Sequence, residues 1–225
     1  MGWDEQAEKC CEILAQLDKL FQEADDLHSE SDAELSQRTE GSEPANRVWW
    51  AQLLLDHTHK LGIRIPKCEL PRRVVSCCSG GCSEAFALKE LDIPFIIESS
   101  SEPERQFREF QLANHVDIQH QHVSFADQLA AAPCALHSGS SECKVEASPD
   151  LLVIGAPCNP FSIQRPGRFT AGSTEGHALS KLTLRGVLTA LQKFSPHTAI
   201  AETTDGFLKP LSADSSETPL TLHHV

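Results

Sequence analysis

The sequence contains no apolar run of the roughly 18 residues that a membrane-spanning helix needs. Its first residues, MGWDEQAEKCCEIL, are acidic and amphipathic, whereas a secretory signal has a basic start followed by a continuous apolar segment. Hydrophobic residues make up 40% of the chain and charged residues 23%, as is usual for a globular protein. We therefore expect an intracellular protein that has no membrane partner.

The chain also lacks the paired Cys-x-x-Cys units that are typical of structural zinc sites. Its nine cysteines are an odd number, and without a secretion signal they indicate reduced thiols rather than a disulfide framework. Cys77, Cys78 and Cys82 cluster, and His120 and His122 alternate, but no second tight cysteine pair completes a zinc ligand set. We therefore predict that the protein has no metal site.

Basic residues are fewer than acidic ones, which gives a net charge of −13, but the excess of acidic residues is unevenly distributed along the chain. Residues 1–45 carry 13 acidic and 3 basic side chains, whereas residues 151–209 carry 3 acidic and 6 basic ones. The segment 151–209 is therefore mildly basic, which is compatible with a partner that presents a phosphate backbone.

Composition and periodicity divide the chain into three parts. Apolar residues at helical spacing predict an amphipathic helix over 3–25, which is a candidate surface for a protein partner. The acidic, polar segment 29–46 indicates a linker, and VWWAQLLL predicts a helix at 46–61. We predict an acidic helical arm with its linker over 1–70, an α/β domain over 71–210 and a tail over 211–225.

Short apolar segments alternate with helical segments after Pro71. RRVVSCC, IPFIIESS, VDIQHQHVSF, DLLVIGAP and the start of TAIAETTDGF predict five strands. Strands that alternate with helices predict a Rossmann-like, doubly wound and mostly parallel sheet. In such a sheet, ligands bind beyond the carboxyl ends of the strands.

Each predicted strand is followed by polar or conformationally permissive residues, which are Gly80 and Gly81, Glu98, Asp127, Cys158 and Glu202. The glycines let the backbone approach a cofactor, and an acidic residue after the second strand suits hydrogen bonds to a ribose diol. Simpler interpretations are a tight turn for the glycines, a surface position for Glu98, a helix cap for Asp127, and a helix cap or an ion-pair partner for Glu202.

Cys158 is the most informative of these residues. It lies between Pro157 and Pro160 at the end of an apolar run, and Arg165 and Arg168 follow it. Nearby arginines favour the thiolate, which is the reactive form of cysteine. The alternative is a small buried apolar side chain, but the position at a strand end favours a nucleophile.

The ordered set of segments resembles the C5-cytosine DNA methyltransferase family from about Val74 to Phe207. DLLVIGAPCNPFS is similar to the nucleophile motif, in which Phe-Ser follows Pro-Cys-Gln, and VVSCCSGGCSEAF is similar to the glycine-rich first motif. FIIESS, SFADQL and AETTDGF resemble the second, third and Glu-Asn-Val motifs. Asn159 stands in place of the usual glutamine, and Thr203 and Thr204 replace Asn-Val.

The resemblance implies a reaction. The Cys158 thiolate would attack C6 of a cytosine flipped out of its stack, Glu202 would bind or protonate N3, and C5 would take a methyl group from S-adenosylmethionine. The implied cofactor-binding residues are Gly80, Gly81, Glu98, Asp127 and Pro157, and the implied substrate-binding residues are Arg165 and Arg168.

The family pattern continues beyond Phe207 into further strands and a target-recognition domain, so the resemblance covers only the N-terminal part of a catalytic domain. We expect an incomplete domain that acts on DNA, in the nucleus if the source is a eukaryote. The resemblance leaves open whether this chain is active by itself. An RNA (tRNA) cytosine-5 methyltransferase is one alternative, because Pro-Cys-x-Pro-Phe resembles that branch too. A catalytically dead remnant that binds the cofactor or a protein partner is the other.

Overall fold

The computed structural model describes residues 48–62, 69–115, 117–137, 139 and 143–219. The predicted helix at 3–25 and the linker at 29–46 lie outside the described residues. In chain order the elements are α1 (Trp49–Lys60), β1 (Arg72–Cys77), α2 (Ser83–Glu90), β2 (Phe95–Ser101), α3 (Arg105–Asn114), β3 (His120–His122), α4 (Phe125–Ala130), β4 (Leu151–Ile154), α5 (Ser180–Phe194), β5 (Thr198–Ala201) and a 3₁₀ helix (Asp205–Leu208).

The five strands form one sheet in the order β3-β2-β1-β4-β5, and every neighbouring pair is parallel. Each strand is joined to the next through a segment that contains a helix, as parallel pairing requires. The predicted Rossmann-like α/β fold is therefore confirmed. The strand order places β1 at the centre, with β2 on one side and β4 on the other.

Apolar cores lie on both faces of the sheet. Val75 belongs to a cluster with Leu152 of β4 and Phe194 of α5, whereas Ile97 of β2 packs with Ala85 of α2. Ile97 pairs with Val74, the neighbour of Val75 in β1. Because successive side chains of a strand point to opposite faces, the two clusters lie on opposite faces of the sheet.

Helix α5 covers the residues that its amphipathic pattern predicted, and its Ala190 and Phe194 are buried in the core. It approaches α4 closely at Gly186, where an added Cβ would lie 2.8 Å from the ring of Phe125. A side chain at this position would push the two helices apart, since interiors are close-packed. Gly186 therefore sets the distance between α4 and α5.

Buried polar side chains fasten the helices to the sheet. The Gln128 side chain of α4 donates hydrogen bonds to the Ser76 carbonyl (3.0 Å) and to Ser99 Oγ (2.9 Å). On the other side of β2, Gln111 of α3 accepts a hydrogen bond from the Ser100 hydroxyl at 3.0 Å. These hydrogen bonds fix the positions of α3 and α4 on the sheet, because a shifted helix would leave the buried amide groups unpaired.

The structure also refines the predicted boundaries. The helix predicted at 46–61 spans Trp49–Lys60, and the third predicted strand shrinks to the three residues of β3. All four residues of β5 are exposed at the edge of the sheet.

Within the described ranges, none of the helices is long and apolar enough to cross a membrane.

Candidate active site

The carboxyl ends of all five strands lie along one edge of the sheet, because the strands are parallel. Strands β2 and β3 lie on one side of β1, whereas β4 and β5 lie on the other, so the strand order reverses between β1 and β4. Ligands of open α/β sheets bind at such a switch point. The segments that follow β1 and β4 touch there. Gly155 N donates to the Cys77 carbonyl at 3.0 Å, and a Cβ on Gly155 would lie 3.2 Å from the Cys78 carbonyl oxygen.

The segment after β4 presents Cys158 at this edge. The Cys158 carbonyl accepts hydrogen bonds from Phe161 N (2.9 Å) and Ser162 N (3.1 Å), which close a turn directly after the cysteine. The Pro157 carbonyl accepts a 2.6 Å hydrogen bond from the Thr183 hydroxyl of α5, which anchors the residue before it. Cys158 is therefore held from both sides, and its side chain is half-buried.

Cys158 lines an open cleft of about 490 Å³. The other residues of the lining are Asn159, Ser162, Gln164, Arg165 and His177. The sequence analysis expected Arg165 here but missed His177 and Gln164, which belong to an irregular segment without a periodic signal. Amide, hydroxyl, imidazole and guanidinium groups together can recognise a polar, hydrogen-bonding substrate.

The cysteines in and directly after β1 have raised pKa values. Burial raises the pKa of the Cys77 thiol well above its ordinary value, and burial with a smaller contribution from Glu102 raises the pKa of Cys78 to about 11. Burial together with Glu84 raises the pKa of Cys82 to about 12. These thiols stay protonated near neutral pH, so they are poor nucleophiles.

Glu202 follows β5, the strand next to β4, as predicted. Its backbone N–H donates to the Ile154 carbonyl at 2.9 Å, which extends the β4–β5 pairing by one residue. Ile154 is the last residue of β4, four positions before Cys158. The exposed Glu202 side chain and the Cys158 thiol therefore belong to neighbouring strand ends on the same edge.

Arg165 and Arg168 have different environments, although the sequence analysis assigned both to the substrate. Arg165 lines the cleft, donates from Nη2 to the Pro160 carbonyl (3.2 Å) and has an Nε without a hydrogen-bond partner among the described residues. Arg168 is 1% exposed. Its three donor nitrogens bind the carbonyls of Phe161 (3.1 Å), Leu211 (3.1 Å) and Gly206 (3.0 Å).

The prediction that Arg168 contacts substrate is therefore wrong in this structure, because its guanidinium is buried and already committed to backbone carbonyls. It connects the segment after Cys158 to residues 206–211. Gly206 assists this contact, since a Cβ there would overlap the Phe161 carbonyl. The rings of Phe161 and Phe207 also meet edge to face at 5.1 Å. Arg168 thus acts as an internal brace of the Cys158 segment.

The turn after β1 contains Gly80 and Gly81. Gly80 has a φ of +50°, and the position of its missing Cβ faces open space. Its N–H donates to Glu102 Oε2 at 2.8 Å, and Glu102 Oε1 accepts from Glu104 N at 2.9 Å. A Cβ added to Gly81 would instead lie 3.3 Å from the ring of Phe110 in α3. Of the two glycines, Gly80 is the one that leaves room for a ligand.

Glu98 does not follow the second strand as predicted. Strand β2 continues to Ser101, so Glu98 lies inside it, where it forms a double hydrogen bond with the Arg73 guanidinium at 2.6 and 3.2 Å. The acidic residue at the carboxyl end of β2 is Glu102, which the sequence analysis did not single out. The error is one of boundary, because the apolar run of IPFIIESS ends at Ile97, and the sequence pattern therefore places Glu98 at the polar end of the strand.

Asp127 follows β3 but is engaged in helix capping. The Ser124 hydroxyl accepts a hydrogen bond from Asp127 N (3.0 Å) and donates one to Asp127 Oδ2 (2.7 Å) at the start of α4. Ser124 is therefore the N-cap residue of α4, and Asp127 is the third residue of the helix. The simpler interpretation of Asp127 as the cap itself is therefore wrong by three residues, and the Asp127 carboxylate is paired with the Ser124 hydroxyl.

We predict that Arg168→Met lowers the free energy of unfolding by about 2–5 kcal/mol, because it leaves three buried carbonyls without their charged partner. Arg165→Met is the matched control and should change the stability by less than about 1 kcal/mol, since one of its donors is already unpaired. Urea denaturation followed by far-ultraviolet circular dichroism measures both. Equal stability of Arg168→Met and wild type would show that Arg168 is not a brace.

No protein-family model and no curated protein matches the chain. Among solved structures, it is similar to the crystal structure of a "putative RNA methyltransferase" from Pyrococcus horikoshii, with a TM-score of 0.36 and 11% sequence identity. The match covers 69% of this chain and 57% of that one, so this chain spans less than two thirds of the other protein's length. A likeness this distant gives no information on activity, which has to be inferred from the site itself.

Proposed function

We propose that the protein is an S-adenosylmethionine-dependent nucleic-acid methyltransferase that acts on C5 of cytosine, with DNA as the substrate. The observation that carries the proposal is the position of Cys158 and Glu202 at neighbouring strand ends, beside the switch point of the sheet. The motif resemblance of these same segments adds the reaction class.

Cys158 is the nucleophile in this proposal. Its sulfur forms a bond to C6 of the ring while the electrons of the C5–C6 double bond move towards C5. S-adenosylmethionine, when bound, would supply an electrophilic methyl group, whose bond to sulfur would break as C5 accepts it, so that S-adenosylhomocysteine leaves. Loss of the C5 proton to a base and departure of the thiolate then restore the double bond. The open cleft supports this role, because a planar base needs access to the sulfur.

Glu202 is the residue that activates the ring. A carboxyl group at this position can hydrogen-bond to N3 and to the exocyclic amino group of cytosine. Proton donation to N3 withdraws electrons from C6 and makes the ring easier to attack. The backbone bond of Glu202 to the last residue of β4 supports this role, since it puts Glu202 at the strand end next to the one that Cys158 follows.

The residues at the ends of β1 and β2 fit the cofactor. Glu102 is 6% exposed, and each of its carboxylate oxygens accepts one backbone hydrogen bond and retains a further lone pair. A carboxylate at this strand end suits the two hydroxyl groups of a ribose. The open space at Gly80 would accommodate the part of the ligand that passes over the turn. In this revised assignment Glu102 takes the role that the resemblance gave to Glu98.

The substrate would enter from the side of the Cys158 cleft. Arg165 can contact a phosphate there, and Asn159 and Gln164 can hydrogen-bond to a base or its backbone. Bases in a duplex are stacked, so a cytosine must be flipped out to reach the thiol. Since nothing in the cleft distinguishes deoxyribose from ribose, the choice of DNA rests on the motif resemblance, and RNA is an alternative that the experiment below separates.

We predict that the full chain, incubated with S-adenosylmethionine, forms a covalent complex with a deoxyoligonucleotide that contains 5-fluorocytosine. Fluorine cannot leave as the C5 proton does, so the adduct persists through denaturing electrophoresis. Cys158→Ala should abolish the complex, and the same oligonucleotide with ordinary cytosine should give none. Intact-mass spectrometry measures the adduct.

Trapping on the matching oligoribonucleotide, but not on DNA, would assign the protein to RNA. Binding of the cofactor without any trapping would identify a catalytically dead remnant. A complex that forms equally in Cys158→Ala would exclude Cys158 as the nucleophile.

We also predict that Glu102→Gln weakens S-adenosylmethionine binding about tenfold or more, because a hydrogen bond to a charged group contributes about 1.5–3 kcal/mol. Glu98→Gln is the matched control. It should keep the cofactor affinity but lower the melting temperature, since it disrupts the double hydrogen bond with Arg73. Isothermal titration calorimetry and thermal unfolding distinguish the two effects. The reverse pattern would restore Glu98 as the ribose-binding residue.

A further inference from the structure

Four side chains with metal-binding atoms converge at the edge of the sheet that β3 forms. They are His120 from β3 and Cys134, His137 and Cys143 from the segment between α4 and β4. One nitrogen or sulfur atom from each lies within 4.8 Å of all the others. The sequence analysis had grouped His120 with His122, which is not part of this set.

Four of the six separations between the donor atoms are close to those of a tetrahedron around one ion. Nδ1 of His120 and Nδ1 of His137 are 3.2 Å apart, and Cys134 Sγ lies 3.3 Å from His137 Nδ1 and 3.8 Å from His120 Nδ1. Cys143 Sγ lies 3.8 Å from His137 Nδ1. Tetrahedral zinc, with its usual bond lengths, places two nitrogens about 3.3 Å apart and a nitrogen and a sulfur about 3.6 Å apart.

The donor set also has the composition that zinc prefers. Two thiolates and two imidazoles form the Cys₂His₂ set of structural zinc sites, and they fill all four positions. Cys134 and Cys143 are 6% and 1% exposed, whereas His137 is exposed and His120 half-buried, so the set lies at the surface with its sulfurs inside. Buried thiols gathered around imidazole nitrogens have a direct explanation as ligands of a cation.

The backbone holds the cluster in place from both sides. Ala135 N donates to the Gln121 carbonyl of β3 at 2.7 Å, which joins the Cys134 segment to the strand that carries His120. Cys143 N donates to the Ala131 carbonyl at 3.0 Å, directly after α4. Backbone hydrogen bonds to two different elements therefore fix the positions of the ligands. The site joins the end of α4, the long following segment and the edge strand β3.

We propose that His120, Cys134, His137 and Cys143 bind one structural zinc ion. With four protein ligands the ion has no open position for a substrate, so its role is to stabilise the fold. It fastens the segment after α4 to the edge strand β3, and an edge strand that is covered in this way is protected from pairing with another chain. This replaces the sequence-based expectation of no metal site. Three strands separate it from β5, so it is independent of the proposed catalysis.

The first test measures zinc in the full chain, produced without a polyhistidine tag and purified without chelators. Inductively coupled plasma mass spectrometry should find about one zinc per chain. Cys134→Ser and Cys143→Ser should each lower the content at least tenfold. Cys158→Ser, a thiol outside the cluster, and His59→Asn, an exposed histidine of α1, are the matched controls and should retain the metal.

The second test guards against variants that fail to fold. Cobalt(II) substituted into the wild-type chain should give the visible absorption of a tetrahedral site and the ultraviolet thiolate bands of two cysteines. His137→Cys keeps four donors and should keep the metal, with thiolate bands that correspond to three cysteines.

Wild-type protein without bound zinc and without a tetrahedral cobalt spectrum would overturn the proposal. A Cys134–Cys143 disulfide in protein kept under reducing buffer, found by peptide mapping, would overturn it too. Unchanged zinc content in both cysteine variants would show that the metal binds elsewhere, and this result would also overturn the proposal.

Discussion

The parallel direction of all five strands is the constraint on which the candidate site depends. Because each strand returns through a helical crossover, the five carboxyl ends share one edge, and the segments that follow them meet there. Residues as far apart in sequence as Gly80, Cys158 and Glu202 then face a common region without any direct bond between them. The reversal between β1 and β4 opens the space in which a ligand can lie between these segments.

The segment after β4 has to be irregular to present a thiol, and irregular backbone needs bracing. Arg168 provides it by donating to three carbonyls from two different parts of the chain, and Gly206 allows the approach. A charged side chain can be buried at acceptable cost only when its donors are paired in this way. The two neighbouring arginines therefore differ in their surroundings: Arg165 lines the cleft, and Arg168 is buried and paired with backbone carbonyls.

Strong periodicity explains what could be predicted from sequence. Helix α5 has an amphipathic pattern that is typical of a helix, and the short apolar segments of β1 and β4, with their β-branched residues, favour strands. The positions of Cys158 and Glu202 follow from where β4 and β5 end. Glu98 was misplaced because serines carry no strand signal, although Ser99 to Ser101 continue β2. The direction of the Arg168 side chain and the convergence of His120 with Cys134 depend on tertiary packing, which no local pattern encodes.

The central claim is that the Cys158 sulfur adds to C6 of cytosine, and hydrogen exchange at C5 tests this step directly. Addition at C6 makes C5 carbanion-like, so a deoxyoligonucleotide labelled with tritium at C5 should release tritium to water even without S-adenosylmethionine. We expect wild-type chain to release label in proportion to time, and Cys158→Ala to stay at the rate of the protein-free control. Equal release by the two proteins, or none by either on DNA and on RNA, would contradict the account.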